Sequence, residues 1–545
     1  MLLYSMRKDA LHLMKTMKQI GSALRRGLCG SGWCTPEGLM TALGMVWLAV
    51  FPFLQGGSYS SITRAKWEIM LVLTGVSGLC ALTAVIWKKE KGGKLRLTWM
   101  HAAGLTYFVL VGLSALFGSW ADHADSTGRL TVIWGAYRHE GLITQLCYGA
   151  VFLAMSFVRV RVRPLVTAAS LGLLGYCAVV GLQYAGINAL GLFPPGTSIL
   201  TNYEFQGPIG NIDMVVGYVS IVMAAALAAF AGLKKPCWLW YAAGLAGALL
   251  TLCMEVQCGL IMLAGLLFLL LLLALRRPEC RWRTALVLAG VLVMATVRLT
   301  LAFPWLDGVD GVGLRTDAWR FVPLGAGAAL TLAAAALRRR PGGEMKRRVV
   351  AAVAAGVALL ALTAVYLLPI PAGNGLWELQ EILHGRVQDS FGSERIGVWR
   401  LTLEICRDNL LWGTGPDAFL HAMDHHLWQT GQSLVQRFDN PHNLFLGVLV
   451  NSGLPALGLF VALVIGAPAA AAVKLRRDAD VLPLMLAVLC YLMQGEFTFS
   501  ICLVTPMFWA ALGMLTGQLS DDRREGACIP QGFAFSRMPV SERTE

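Results

Sequence analysis

The feature that most limits what this chain can fold into is its succession of apolar runs of about 17 to 25 residues, the length that crosses roughly 30 Å of hydrocarbon as a helix. Fourteen such runs begin near Gly38, Trp67, Leu97, Gly141, Leu165, Asp213, Cys237, Cys258, Thr284, Phe321, Val349, Asn443, Val481 and Val504. The last two are the shortest, so twelve to fourteen spans fit. Of the 545 residues, 56% are apolar and 14% charged, whereas a soluble globular chain is about one quarter charged. A water-soluble enzyme is excluded. The expected architecture is an all-α polytopic transmembrane helical bundle with one long outer loop containing short helices.

Orientation follows from where Lys and Arg fall between the runs. Residues 1–37, 88–98, 158–164, 234–236, 276–283, 338–348, 474–480 and 518–545 hold 33 of the 45 basic residues and 12 of the 32 acidic ones. The alternate connections carry the acidic excess, so both termini are expected to be cytoplasmic. The net charge of +13 is therefore a topology signal, with no nucleic-acid partner implied. Residues 1–37 are expected to be an amphipathic cytoplasmic leader, since Leu11, Met14, Met17, Ile20 and Leu24 recur at helical spacing among lysines. No small-residue cleavage signature follows the first run, which therefore reads as a span rather than a signal peptide. Residues 38–368 hold spans one to eleven, 443–519 spans twelve to fourteen, and 520–545 a cytoplasmic tail. Thirteen scattered cysteines offer no disulfide framework and no zinc pair.

Most outer connections are short, but residues 369–442 form a long extracytoplasmic loop with five of the nine histidines. A loop of that length is usually functional. Three short helices are expected in it, at 376–388, 394–410 and 417–430. In the second, Ser393 is a candidate N-cap, and Trp399, Leu403, Cys406 and Leu410 form its buried face. Asp417 is a candidate cap for the third, and Gly431 its stop.

The sharpest local feature is Asn440-Pro441-His442-Asn443, where the loop enters span twelve. Asn suits an N-cap and Pro the first helical position, which would put His442 in the first turn. A positive helix end favours a neutral imidazole and attracts phosphate. Arg395 and Trp399 share a helix face, a pairing that suits phosphate beside a sugar or prenyl surface. Arg138, ahead of span four, can also reach a phosphate. Each has an ordinary alternative: interfacial packing for His442, a surface salt bridge for Arg395, snorkelling for Arg138. His421, Asp424, His425 and His426 lack a further ligand at defined spacing, so no metal is expected. Asp213, Glu255 and Glu496 lie near the outer ends of spans, away from mid-depth. That argues against a coupled transporter.

At these residues the chain resembles the O-antigen ligase and O-antigen polymerase superfamily of bacterial envelope enzymes. The likeness rests on Arg395-Ile396-Gly397-Val398-Trp399, on Asn409-Leu410-Leu411-Trp412-Gly413-Thr414-Gly415-Pro416, and on Pro441-His442-Asn443-Leu444-Phe445-Leu446 leading into Asn451-Ser452-Gly453-Leu454. Its core covers about 255–465, with weaker likeness at 138–142 and 210–211. The resemblance implies metal-independent, cofactor-free, inverting transfer of a glycan from a polyprenyl (undecaprenyl) diphosphate to an acceptor hydroxyl, at the outer face of the cytoplasmic membrane. The acceptor is a glycan, lipid, protein or wall polymer. His442 becomes the candidate base and Arg395 the diphosphate clamp, with Arg138, Trp399 and Asn443 as substrate-binding candidates. Relatives often carry Ser-Arg where this chain reads Glu255-Val256-Gln257-Cys258-Gly259, with Gln257 in place of the arginine, and Arg138 or Arg320 could substitute. A helix acid that often follows the His-Asn motif is here Asn451. A transporter or flippase of lipid-linked glycans is the alternative, but it needs an inverted repeat and a charged mid-membrane path. The sequence displays neither.

Overall fold

The computed structural model describes residues 33–136, 138–194, 196–197, 204–303, 307, 309, 312–339, 363, 365–367, 369–373, 375–433 and 437–520. In chain order its main helices are α1 (Pro36–Phe53), α2 (Ile62–Glu90), α3 (Trp99–Phe117), α4 (Leu142–Ser156), α5 (Val162–Tyr184), α6 (Ile212–Gly232), α7 (Trp238–Met254) and α8 (Gln257–Arg276). After these come α9 (Arg281–Thr300), α10 (Val322–Arg339), α11 (Gly375–Leu383), α12 (Arg395–Asp408), α13 (Phe419–Thr430), α14 (Leu444–Lys474), α15 (Val481–Gly495) and α16 (Thr505–Ser520). Two hairpins of two-residue strands, Phe205–Gln206 with Gly210–Asn211 and Leu301–Ala302 with Gly313–Leu314, are the paired strands among the described residues. The chain is thus a helical polytopic membrane protein. Nine of these helices are long and apolar enough to cross a membrane, and α4, α7 and α15 are shorter apolar helices. Every expected span except the eleventh coincides with a helix. That eleventh span, the leader helix and the C-terminal tail lie outside the described residues.

The bundle is organised around α6, in which every residue from Met214 to Gly232 is buried. A helix apolar on all sides belongs in the interior, and α6 packs against α15, α7, α5 and α8. Its alanine and glycine content permits close approach of backbones. A Cβ on Gly232 would meet Leu482 at 2.1 Å, and one on Gly244 of α7 would meet Leu227 at 2.2 Å. Lys66 is a fully buried cation in α2. Its Nζ donates to the carbonyls of Phe51 (3.0 Å) and Pro52 (2.8 Å), which end α1. The amine thereby supplies a donor to Pro52 O and a second one to Phe51 O, which already accepts from Leu54 N.

α14 is broken at Gly453, whose φ of 80° and ψ of 174° are not helical. The break exposes carbonyls that the Asn409–Pro416 turn uses. Thr414 N donates to Val450 O (2.7 Å), Gly415 N to Asn451 O (3.0 Å), and Leu454 N to Leu410 O (2.7 Å). Contact is so close that a Cβ on Gly413 would lie 2.6 Å from the 451–452 peptide, and one on Gly453 would lie 2.2 Å from Leu411 O. From the bundle side, Ser114 Oγ donates to Asn451 O at 2.6 Å. The glycines of this motif therefore lock the long loop into the bundle.

Within the loop, α12 and α13 share a small core with α14. Val398, Leu401, Ile405, Cys406, Phe419, Ala422, Met423, Phe438, Leu449 and Val450 form it. The buried face of α12 is rotated from the expected one, because Leu403 and Leu410 are about half exposed. Three expected caps are also corrected. α12 begins after Glu394, which has a left-handed backbone and no side-chain cap bond. α13 is preceded by Ala418, also without a side-chain cap. Asn443, not Asn440, caps α14, its Oδ1 accepting from Phe445 N (3.0 Å) and Leu446 N (2.9 Å). The expected stop of α13 at Gly431 is observed, with φ 68°. α11 ends at Leu383, short of the expected 388.

Candidate functional site

The starts of α4, α6, α8 and α14 and the ends of α7, α9 and α15 come together, and two cavities open among them. The first, about 470 Å³, is lined by Arg138, Ser393, Arg395, Leu420, Arg437, Phe438, Asp439 and His442. The second, about 450 Å³, includes Met254, Glu255, Gln257, Arg298, Ser393, Arg395 and Phe497 in its lining. Ser393 and Arg395 belong to both.

Arg395 stands where the cavities meet because the chain turns sharply just before α12. Gly392, Ser393 and Glu394 all have positive φ (65°, 58° and 67°). Its Nη1 donates to Gly392 O at 2.8 Å, its Nη2 lies 4.0 Å from Asp213 Oδ2, and its Nε is buried with no hydrogen-bond partner. A guanidinium that is 15% exposed and so weakly compensated has capacity for an anion.

His442 faces it on the turn into α14. Its φ is 47°, and its N–H donates to Asn440 Oδ1 at 2.9 Å. The histidine therefore precedes the helix rather than occupying its first turn. The ring lies edge-to-face between Phe438 (5.6 Å) and Phe499 (5.1 Å). Its Nδ1 is buried without a partner, which leaves the Nε2 edge for the cavity. Burial, then the charges of Arg395 and Arg138, push the imidazole down to about 4 against an opposing pull from Asp439. The ring is neutral at physiological pH.

Arg138 is bidentate to Asp439, Nε to Oδ2 at 2.5 Å and Nη2 to Oδ1 at 3.1 Å, with its guanidinium 4.1 Å above the Phe499 ring. The turn that carries Arg138 is pinned by Asp417, whose Oδ2 accepts from Ala136 N (2.7 Å) and Glu140 N (3.2 Å). Asp417 is thus committed across the fold instead of capping α13. A smaller cavity of about 90 Å³ is lined by the Arg138–Asp439 pair together with Glu140 and Asp417. That volume admits several waters. Glu140 accepts from Tyr148 Oη (2.7 Å), Ser500 Oγ (3.2 Å) and Gln145 Nε2 (3.3 Å). Burial raises its carboxyl to about 8 and that of Asp417 to about 6.

Left-handed backbone marks the same region. Among the described residues, the non-glycine positions with positive φ are His139, Leu190, Glu255, Ser393, Glu394, Asp417 and His442. All but Leu190 line these cavities or adjoin Arg138 or Arg395. Such conformations cost about 1 to 3 kcal/mol each and cluster at functional sites.

Residues 313–461 match the family model described as O-antigen ligase. The matched stretch, about a quarter of the chain, supports membership of the O-antigen ligase superfamily. No curated protein matches the chain. The matched stretch contains Arg395, His442, the Asn409–Pro416 turn and the break in α14, so the loop that defines this O-antigen ligase domain is also the loop that closes the cavities. Together with the apolar helices, the match supports a multi-pass membrane enzyme of ligase type.

The structure brings together His442, Arg395 and Arg138 of the residues singled out from the sequence. Asn443 lines the smaller cavity and donates to Glu496 O (3.0 Å) while capping α14. Trp399 lines neither cavity. Its Nε1 donates to Pro441 O at 2.9 Å, fixing the peptide just before His442. Arg320 is also outside the cavity linings, bonded instead to Asp317 (2.7 Å) and Leu299 O (2.7 Å). It does not take the place of the arginine missing at Gln257.

Arg298, which sequence reasoning missed, lines the second cavity with Gln257. It pairs with Glu255 (2.6 Å) and Asp307 (3.4 Å), and its Nε is buried without a partner. An arginine inside the apolar run of span nine was the available signal, since such residues usually mark function. Glu140 and Asp417 were missed as well. Among the described residues no group of three or more His, Cys, Asp or Glu is arranged to hold a metal. His421 and His425 pack on Trp120, Asp424 pairs with Arg437, and His426 lies 3.3 Å from Glu404.

Proposed function

We propose that the protein transfers a glycan from a polyprenyl diphosphate to an acceptor hydroxyl, without a metal and with inversion, at the outer face of the bacterial cytoplasmic membrane. The observation that carries this reading is Arg395, a largely buried and weakly paired guanidinium set between a cavity holding His442 and a cavity holding Arg298. The donor diphosphate lies against Arg395 and Arg298, and the acceptor hydroxyl approaches His442. The acceptor oxygen bonds to the anomeric carbon as the bond from that carbon to the diphosphate oxygen breaks, and the hydroxyl proton passes to the imidazole. Attack from the face opposite the leaving group inverts the centre. The leaving group needs positive charge rather than a proton, and arginines supply it. A diphosphate on Arg395 also offsets the larger of the two charges that depress His442, raising its basicity when the donor is in place.

The test is turnover by the purified full chain in nanodiscs with an undecaprenyl-diphosphate-linked glycan. Activity is expected to fall in the order wild type, Arg395→Lys, Arg395→Ala, the alanine variant losing about 100- to 1,000-fold. A folded alanine variant as active as wild type rejects the assignment of the diphosphate to Arg395.

A further inference from the structure

Beside the first cavity, a row of rings crosses the loop and has no part in the proposed chemistry. On α13, His421, His425 and Trp428 fall at i, i+4 and i+7, and so share one face. Trp120, from the connection after α3, joins them, with ring centroids 6.2 Å from His421, 5.5 Å from His425 and 5.5 Å from His123. His123 and His421 approach to 3.9 Å, and His425 lies 6.2 Å from Trp428. Trp120 is held in register by its N–H, which donates to Thr414 O at 3.0 Å in the turn locked into α14. The opposite face of α13, with Phe419, Ala422 and Met423, is anchored in the small loop core. The row is therefore presented on a fixed element.

Two properties point to an occupant. Trp428 is 80% exposed, an indole held out from the protein. Polar groups accompany the row: Gln429, beside Trp428 in sequence, has its Nε2 3.4 Å from His425 Nε2. His421 Nε2 is buried with no hydrogen-bond partner. Aromatic faces rimmed by imidazoles and amides suit a ligand with an apolar face and hydroxyl edges, which is the form of a pyranose ring. A lipid-facing indole would be expected among aliphatic neighbours. The start of α13 borders the cavity, since Leu420 lines it on the face next to the row. From His421 to Trp428 is seven residues at about 1.5 Å, roughly 10 Å, enough for a short run of sugars.

We propose that Trp120, His421, His425 and Trp428 form a polysaccharide-binding ridge that carries the glycan chain away from the first cavity. It rests on the proposed glycan transfer, since a chain attached at His442 needs a route along the loop. The ridge itself is testable without turnover. Lipid-free bacterial envelope polysaccharides, sorted by length, are titrated onto the full chain in nanodiscs. Binding that tightens with length, weakens at least about tenfold in Trp428→Ala and survives Arg395→Ala is the expected result. No binding by wild type, or equal binding by Trp428→Ala and His425→Ala, overturns the ridge. Survival in Arg395→Ala separates its fate from that of the diphosphate assignment. A second measurement compares wild type with Trp428→Phe in vesicles of brominated lipid. The fluorescence attributable to Trp428 should be quenched by acrylamide and not by the lipid; quenching by the lipid makes it a membrane anchor and overturns the proposal.

Discussion

The two cavities that meet at Arg395 are similar in volume and different in lining. The first gathers Arg138, Arg395, Arg437, Asp439 and His442 beside Leu420 and Phe438. The second sets Arg298, Glu255 and Gln257 among Ile212, Met254, Val256 and Phe497. A histidine is present only in the first, and Arg298 only in the second. In the proposed reading this divides the labour: proton transfer belongs to the first cavity, and the donor diphosphate to Arg395 and Arg298 at the second. Arg395 serves both because its turn precedes α12 in a conformation that leaves its Nε unpartnered.

The largest expected effect tests the first cavity. His442→Gln retains a side chain able to hydrogen-bond but unable to take a proton, so turnover should drop about 100- to 10,000-fold while donor binding stays near wild type. Equal turnover by a folded Gln variant would assign His442 to packing between Phe438 and Phe499. A smaller effect tests the second cavity. Arg298→Ala should raise the KM for the lipid diphosphate about tenfold or more, as expected for one lost contact to a charged group. Arg320→Ala, whose partners are Asp317 and Leu299 O, should not. If the two variants behave alike, the second cavity does not hold the diphosphate.

The smallest effect concerns the smaller cavity that Glu140 lines. The Glu140 carboxyl is raised in the fold from its ordinary 4.5 to about 8. A raised acid contributes stability that is full below the unfolded value and is lost as pH rises through the folded one. Thermal stability should therefore decline between about pH 5 and 8 in wild type, levelling off above that, and less steeply in Glu140→Gln. Parallel melting curves for the two proteins across that range would show that Glu140 is not held as the neutral acid.

Much of the site was readable because local chemistry and spacing carried it. Arg395, His442 and the Asn409–Pro416 turn follow in order around one loop, and the apolar runs place the helices to within a few residues. The cap of α14 was misread for a definable reason. Asn440 uses its Oδ1 on the N–H two residues on, forming a turn that puts His442 at positive φ, and the helix is capped three residues later by Asn443. Both are asparagines before an apolar run, and only the backbone path separates them. Trp399 was similarly ambiguous, since an indole on a helix face gives no sign that its N–H will be used on Pro441 O.

By itself the sequence determined that this protein spans a membrane many times, where its helices fall, and that one loop carries the family's residues. Those properties are local, set by hydropathy over about 20 residues and by short motifs. Only the tertiary structure decided that Arg298 rather than Arg320 joins Arg395, that Asp417 holds the Arg138 turn, and that Glu140 shares a cavity wall with the Arg138–Asp439 pair. The contacts of Arg138 with Asp439 and of Ala136 with Asp417 join residues 301 and 281 positions apart. Such pairings depend on how α4 packs beside the entry to α14, and no periodicity within either segment encodes them.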